Sequence, residues 1–223
     1  MEIGSDARFA ECLSYIGGKF GSPVRKTGDR FKLTLPNNTD KLKLFDAITY
    51  QIVTKMKTHY IEQNIQIKNP ILIKVLSHYD KKTDLIIAAS LVQITPVMLL
   101  DGLFDFRLTR LKKRWDEVIS LVNDNVKNLI CKGLFDELLR FLIQNMDYKI
   151  NEAHIIVEGS TVLVCNDKLV PFANLDTDII NALIDVAPRQ VFIHMDTNLE
   201  KSLIVKNIET IFPNCVTIQY ANN

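Results

Sequence analysis

The chain has 223 residues, 47% of them apolar and 24% charged, with a formal net charge of +1. That composition supports a buried core and excludes a disordered chain, and so small a net charge excludes a molecule that grips nucleic acid over its whole surface. The charge is uneven, with 23 Lys and Arg against 17 Asp and Glu in residues 1–150 and 4 against 9 in residues 151–223, which predicts two parts with different surfaces.

Asp6 is placed to cap a first helix over 6–20, with Phe9, Leu13 and Ile16 on one side. Gly17, Gly18 and Gly21 follow, but the spacing is not that of a phosphate loop and no strand is predicted before them. RFKLTL (30–35) alternates as a half-exposed strand. Phe45, Ile48, Ile52 and Met56 recur at helical spacing and predict a helix over 40–61. Two Ile- and Leu-rich helices are expected over 69–79 and 83–95. The most apolar run, residues 85–100, is shorter than the roughly 20 residues of a membrane span and is interrupted by Gln93, Thr95 and Pro96. It reads as a buried helix ending near Pro96. No signal peptide is expected from MEIGSDARF, and the four cysteines, Cys12, Cys131, Cys165 and Cys215, form no C-x-x-C pair, which fits a reducing compartment.

After Gly102 an apolar stripe of Leu108, Leu111, Trp115, Val118, Ile119, Val122, Val126 and Leu129 predicts one long amphipathic helix over 104–130. A second stretch, 134–146, is expected to pack beside it as a hairpin or a kinked pair. After Asn151 the period changes to that of strands. AHIIVE (153–158) and TVLVC (161–165) flank Gly159-Ser160, a pair suited to a tight hairpin. A helix over 177–187, a strand QVFIH (190–194), a capping box from Thr197 to Glu200, a helix over 198–212 and a strand CVTIQY (215–220) complete the chain. The last two strands should be parallel. The fold class is therefore α/β (α+β): a mainly helical part over 1–150, then a small mixed β-β-α-β-α-β unit over 151–223.

Three stretches, FDFRLTRLKKRWDEVISLVNDNV (104–126), NALIDVAPRQVFIH (181–194) and IETIFPNCVTI (208–218), together resemble the YtxC-like sporulation proteins of endospore-forming Firmicutes. The resemblance covers about the C-terminal half. It implies a cytoplasmic protein acting in spore formation, and it implies no reaction and no catalytic residues. In 134–146 the family's acidic-aromatic pattern is replaced by Gly133-Leu-Phe-Asp-Glu.

Two candidate sites stand out. On a continuous helix Arg107, Arg110 and Arg114 fall within about 60° of one another at 100° per residue, a basic stripe beside the apolar face. Such a stripe suits carboxylates or phosphates, and its plainer reading is a solvated face or one paired with the acidic C-terminal part. Lys113 faces away and is expected to pair with Glu117. The absence of alternating basic and aromatic residues favours a protein partner over nucleic acid. The second candidate, His194, Asp196 and Thr197, lies past the carboxyl end of a parallel strand, where open α/β sheets bind ligands, and would suit a small anionic ligand. His59, His78 and His154 show no metal-ligand spacing, His154 reads as a half-buried packing residue of its strand, and no nucleophile motif is present. The expectation is a non-enzymatic interaction module without cofactor or metal. A nucleic-acid-associated factor and a small-ligand domain are the alternatives.

Overall fold

A computed structural model of the chain describes residues 1–124, 132–158, 161–166, 171–174, 179–196 and 203–221. The expected mixed α/β architecture with a largely helical N-terminal part is what the protein adopts. It forms two compact units. One comprises Met1–Lys68 and Lys81–Asp124, the other Asn69–Asp80 and Asn125–Asn223. The division thus falls at Asp124 rather than near 150, and one helix from within the first half belongs to the second unit.

The first unit is built on a sheet of order β2-β3-β1-β4, from β1 (Glu2–Ser5), β2 (Val24–Thr27), β3 (Arg30–Thr34) and β4 (Val97–Leu99). Of these, only β3 was predicted. β1 runs antiparallel to β3 and parallel to β4, so Ile3 stands between Leu33 and Met98. All three are buried, and they form the inner row of the sheet. Helix α1 (Ala10–Lys19) lays Leu13 and Ile16 into the core. Its approach to the following loop needs a glycine, because a Cβ on Gly17 would lie 2.4 Å from the carbonyl oxygen of Ser22.

The predicted 40–61 helix is α2 (Lys41–Gln51), a π turn (Ile52–Met56) and α3 (Lys57–Asn64) in one run. Asp40 caps it, accepting from the N–H groups of Leu42 and Lys43 at 2.9 and 3.1 Å. In the π turn the Lys57 N–H reaches back to Ile52 O, an i→i+5 step. That step stacks Lys57 beneath buried Ile52 and turns a lysine inward. Helix α5 (Lys81–Leu91) stops short of the expected end near Pro96, and the chain passes into β4.

The predicted 104–130 helix is divided in the same manner. A second π turn spans Leu103–Arg107, Leu108 leaves helical geometry with ψ 15°, and α6 runs over Thr109–Asp124. Residues 125–130 of that prediction lie outside the described residues. The Leu108 N–H bonds Leu103 O at 3.2 Å, so these two buried leucines stay in register. The extra residue accommodated between them carries Asp105, Phe106 and Arg107 to the surface.

The second unit holds a five-stranded sheet of order β7-β6-β5-β8-β9. Its strands are β5 (Ile150–Glu158), β6 (Thr161–Asn166), β7 (Pro171–Asn174), β8 (Pro188–Asp196) and β9 (Val216–Ala221). β5, β6 and β7 pair antiparallel in sequence. β8 is parallel to β5, and β9 is parallel to β8, as expected for the last pair. β7 was not predicted. Gly159-Ser160 and the 197–200 capping box lie outside the described residues. Ala153, Ile155, Val157, Val191, Ile193 and Met195 line one buried face. Helices α8 (Ile179–Val186) and α9 (Leu203–Ile211) bury Ile179, Leu183, Val205 and Ile208. Helix α7 (Lys132–Gln144) buries Leu139 and Leu142. α6 lies in the first unit and α7 in the second.

Helix α4 (Pro70–His78) completes the second unit. Asn69 caps it ahead of Pro70, and Leu72, Val75 and Leu76 are buried. Lys74 reaches Asp185 at 2.7 Å, and Tyr79 bridges to Met146. No described helix is long and apolar enough to cross a membrane.

Candidate functional site

The basic stripe does not survive intact. It assumed an unbroken helix, and the π turn ends that phase at Arg107. Arg107 stands exposed on the π turn, Arg110 stands exposed in the first turn of α6, and Arg114 is half-buried. The Arg114 Nε lies 3.7 Å from Asp84 Oδ1, so this arginine belongs to an interior cluster. Arg107 and Arg110 form no ion pair among the described residues, and neither do Lys113 and Glu117, the expected i,i+4 pair.

The sequence reading missed Phe106. Its side chain is 82% exposed, the most exposed of the large apolar residues. The turn that presents it is pinned from below. Arg8 donates to both Asp105 oxygens, at 3.1 and 2.8 Å, and its Nε donates to Asp6 at 2.8 Å. The hydrogen bonds from Arg8 hold the Asp105 carboxyl below the usual carboxylate range. Phe104, two residues before Phe106, faces inward against Phe9, His59 and Tyr60. The Lys112 ammonium sits 4.0 Å over the Phe104 ring, and its burial there pushes its pKa down. Tyr60 donates to Asp116 at 2.8 Å, and burial together with that bond pushes the phenol up to about 12. The outcome is a braced turn that carries the exposed Phe106 ring next to exposed Arg107, with exposed Arg110 one turn on.

Beneath this surface lies the buried cluster. Asp84 accepts from Lys57 Nζ at 2.7 Å and from the Trp115 indole N–H at 2.9 Å. Lys57 and Asp84 side chains are 4% and 2% exposed. Three helices, α3, α5 and α6, contribute to this one carboxylate. No substrate could reach it without opening the unit, so its role is to fix those helices. Elsewhere in the first unit, a cleft of about 480 Å³ lies beside the stacked rings of Tyr15 and Tyr50. Lys19 and Lys81 already lie over those rings, at 5.5 and 4.7 Å.

In the second unit, His194 is on β8 as expected, and Asp196 is the last residue of that strand. Thr197 lies outside the described residues. The structure places His194 beside a residue that the sequence reading took as a packing histidine. His154 is half-buried, as expected, but its Nδ1 lies 3.0 Å from His194 Nε2. The far nitrogen of His154, Nε2, lies 3.6 Å from Glu152 Oε2. Burial first, and then the neighbouring His154, push the His194 pKa down. The two strands are 40 residues apart in sequence, so no spacing rule could have found the pair. The only signal was alternation: Glu152 and His154 share one face of β5, as Phe192 and His194 share one face of β8. Among the described residues no group of three or more His, Cys, Asp or Glu converges.

No protein-family model, curated protein or solved structure matches this chain.

Proposed function

We propose that the chain is a non-enzymatic interaction module that docks an acidic protein surface on Phe106, Arg107 and Arg110. The observation that carries this reading is the 82% exposure of Phe106 on a turn braced by Arg8 and Asp105. Exposed aromatic and arginine side chains are the composition of binding hot spots, and a braced turn spares the backbone the cost of ordering on binding. The charge pattern supports an acidic partner. The first turn of α6 contains no acidic residue, while Arg110, Lys112 and Lys113 gather at that end. Cations there oppose the helix dipole, and only Lys112 offsets this with a described contact, over the Phe104 ring. An incoming carboxylate would relieve that repulsion. Following the resemblance to the YtxC-like proteins, the proposed setting is the cytoplasm of a spore-forming cell.

The test is capture from nuclease-treated lysate of sporulating cells, with a photo-crosslinking residue at position 106. A partner should crosslink through an acidic segment. It should be lost in Arg107→Glu/Arg110→Glu and weakened at least about 30-fold by Phe106→Ala, the effect of a hot spot of about 2 kcal/mol. Lys41→Glu/Lys43→Glu should keep it. Binding that vanishes with nuclease, or that ignores all three residues, overturns the reading.

A further inference from the structure

The second unit carries an arrangement that an interaction module does not need. On β5 and β8 the register sets His154 opposite Phe192 and Ile156 opposite His194, so the two histidines lie diagonally across adjacent parallel strands on one face. Their ring centroids are 5.2 Å apart and their planes differ by 23°. The centroid separation exceeds the 3.0 Å N···N distance by about one ring diameter, so the rings meet edge to edge, nitrogen to nitrogen. Two protonated nitrogens cannot face each other at that distance, so one donates and one accepts. Glu152, 3.6 Å from His154 Nε2, favours the proton on that nitrogen. His154 Nδ1 is then a lone pair, and His194 Nε2 holds the bridging proton.

We propose that this pair is a two-histidine chelate for a borderline divalent transition ion such as copper, nickel or zinc, with His154 Nδ1 and His194 Nε2 as neighbouring ligands and Glu152 orienting His154. The ion takes the place of the bridging proton, which moves to His194 Nδ1 as that ring changes tautomer. No oxidation or bond cleavage is involved.

Three observations carry the proposal. The first is spacing. Metal–imidazole bonds of about 2.0–2.1 Å set neighbouring ligand nitrogens about 2.9 Å apart in a square plane and about 3.3 Å apart in a tetrahedron. The 3.0 Å separation lies between these. Each ring must pivot so that its lone pair meets the other's at an angle, and the second side-chain torsion of histidine is broad enough to allow it. The second is the carboxylate near His154: Glu152 Oε2 lies 3.6 Å from Nε2, a few tenths of an ångström beyond the hydrogen bond by which an outer carboxylate orients a metal-binding histidine, and a small side-chain movement closes that gap. The third is access. His154 keeps 15% of its side-chain surface, enough for an ion to arrive and for water to fill the remaining positions. Phe192 stacks on His154 at 5.3 Å, so the larger share of the pivot falls to His194. With only two protein ligands, the site would hold its ion exchangeably, and a donor from outside could complete the coordination.

The experiment uses the full chain and Cu²⁺ as probe, followed by titration and by electron spin-echo spectroscopy, with Ni²⁺ and Zn²⁺ checked by thermal shift. One Cu²⁺ per chain should bind with the signature of two imidazoles. His154→Gln and His194→Gln should each weaken it at least tenfold, and Glu152→Gln about tenfold. His59→Gln and His78→Gln should leave it unchanged, and Mg²⁺ should give no thermal shift. Copper binding that persists within threefold in both His154→Gln and His194→Gln overturns the proposal, as does a spectrum showing one imidazole or none. Should either variant fail to fold, ¹⁵N spectra of wild-type histidines during Zn²⁺ titration decide. Movement of His154 Nδ1 and His194 Nε2 supports the chelate; movement confined to other histidines overturns it.

Discussion

The Asp84 cluster offers the sharpest test of how the first unit is held together. The perturbation is Asp84→Ala. It strips the Lys57 ammonium of a carboxylate 2.7 Å away and the Trp115 N–H of its acceptor, at a place where the two charged side chains are 4% and 2% exposed. Removing one partner of a buried ion pair costs about 3–5 kcal/mol, because the remaining charge stays out of water. A domain of this size has only about 5–15 kcal/mol in total, so the loss would be close to unfolding it. Removing both charges is a different matter. Lys57→Met with Asp84→Leu deletes the desolvation cost of both ions along with their attraction. The double variant should therefore lie above Asp84→Leu alone, with a coupling of at least about 2 kcal/mol in the cycle of Lys57→Met and Asp84→Leu. The assay is urea unfolding followed by fluorescence of Trp115, the chain's single tryptophan, with circular dichroism in parallel because Asp84 touches the indole itself. A loss below about 1 kcal/mol for Asp84→Ala, or additive single effects, would refute the reasoning.

Two further predictions concern the same unit. Arg8 holds the Asp105 carboxyl below its ordinary value. The stability it adds is therefore fully present above the unfolded value of about 3.9 and is lost as pH falls through the folded value. The pair is 34% and 38% exposed, so the contribution is only about 0.5 kcal/mol. Asp105→Asn should lower Tm by about 1–3 °C at pH 7. That gap should close in acid, and a gap unchanged at about pH 2.5 would contradict the assignment. The adjacent glycines of α1 should respond in opposite directions to alanine. Gly17→Ala drives a Cβ to 2.4 Å from a backbone oxygen and should cost about 1–3 kcal/mol. Gly18→Ala meets nothing within 4 Å and should gain about 0.5 kcal/mol. Urea midpoints of the two variants check the pair, and equal shifts would mean that the loop yields.

Elements governed by local signals were legible in the sequence. α4 was readable from its Asn-Pro start, and the run from α8 to β9 from apolar periods and the proline after α8. β1 and β4 were not. Glu-Ile-Gly-Ser carries no alternation long enough to detect, and Val97–Leu99 follows a helix-like apolar run. Both are strands only because Ile3 finds Leu33 and Met98 across long stretches of chain. The basic stripe failed for a definable reason. A helical wheel assumes a constant 100° per residue, and the π turn at Leu103–Arg107 breaks it. The turn shifts Arg107 out of phase with Arg110 and Arg114, while Arg114, next to Trp115 on the flank of the apolar stripe, lies 3.7 Å from Asp84. Lys57 is inward through the same device at Ile52–Met56. The pairing of His154 with His194 exists only in the register of two parallel strands, and sequence spacing contains no trace of it.

The path of the chain through the two units has a consequence for how the protein is made. The backbone leaves the first unit at Lys68, returns at Lys81 and leaves for good at Asp124. Asp80, at the return, adopts a left-handed φ of 49°, which aspartate tolerates better than most residues. The second unit cannot be obtained by cutting the gene once, since any fragment starting at residue 125 lacks α4. During synthesis α4 emerges well before the sheet unit it belongs to. Its apolar face of Leu72, Val75 and Leu76 must then wait on the order of ten seconds at common translation rates for β5 to β9 to be made. The first unit can close in that interval, with a sticky helix held out as a loop between its two halves. The nascent chain is then most exposed to aggregation, and a chaperone that shields residues 70–78 would act on the second unit while only the first has been completed.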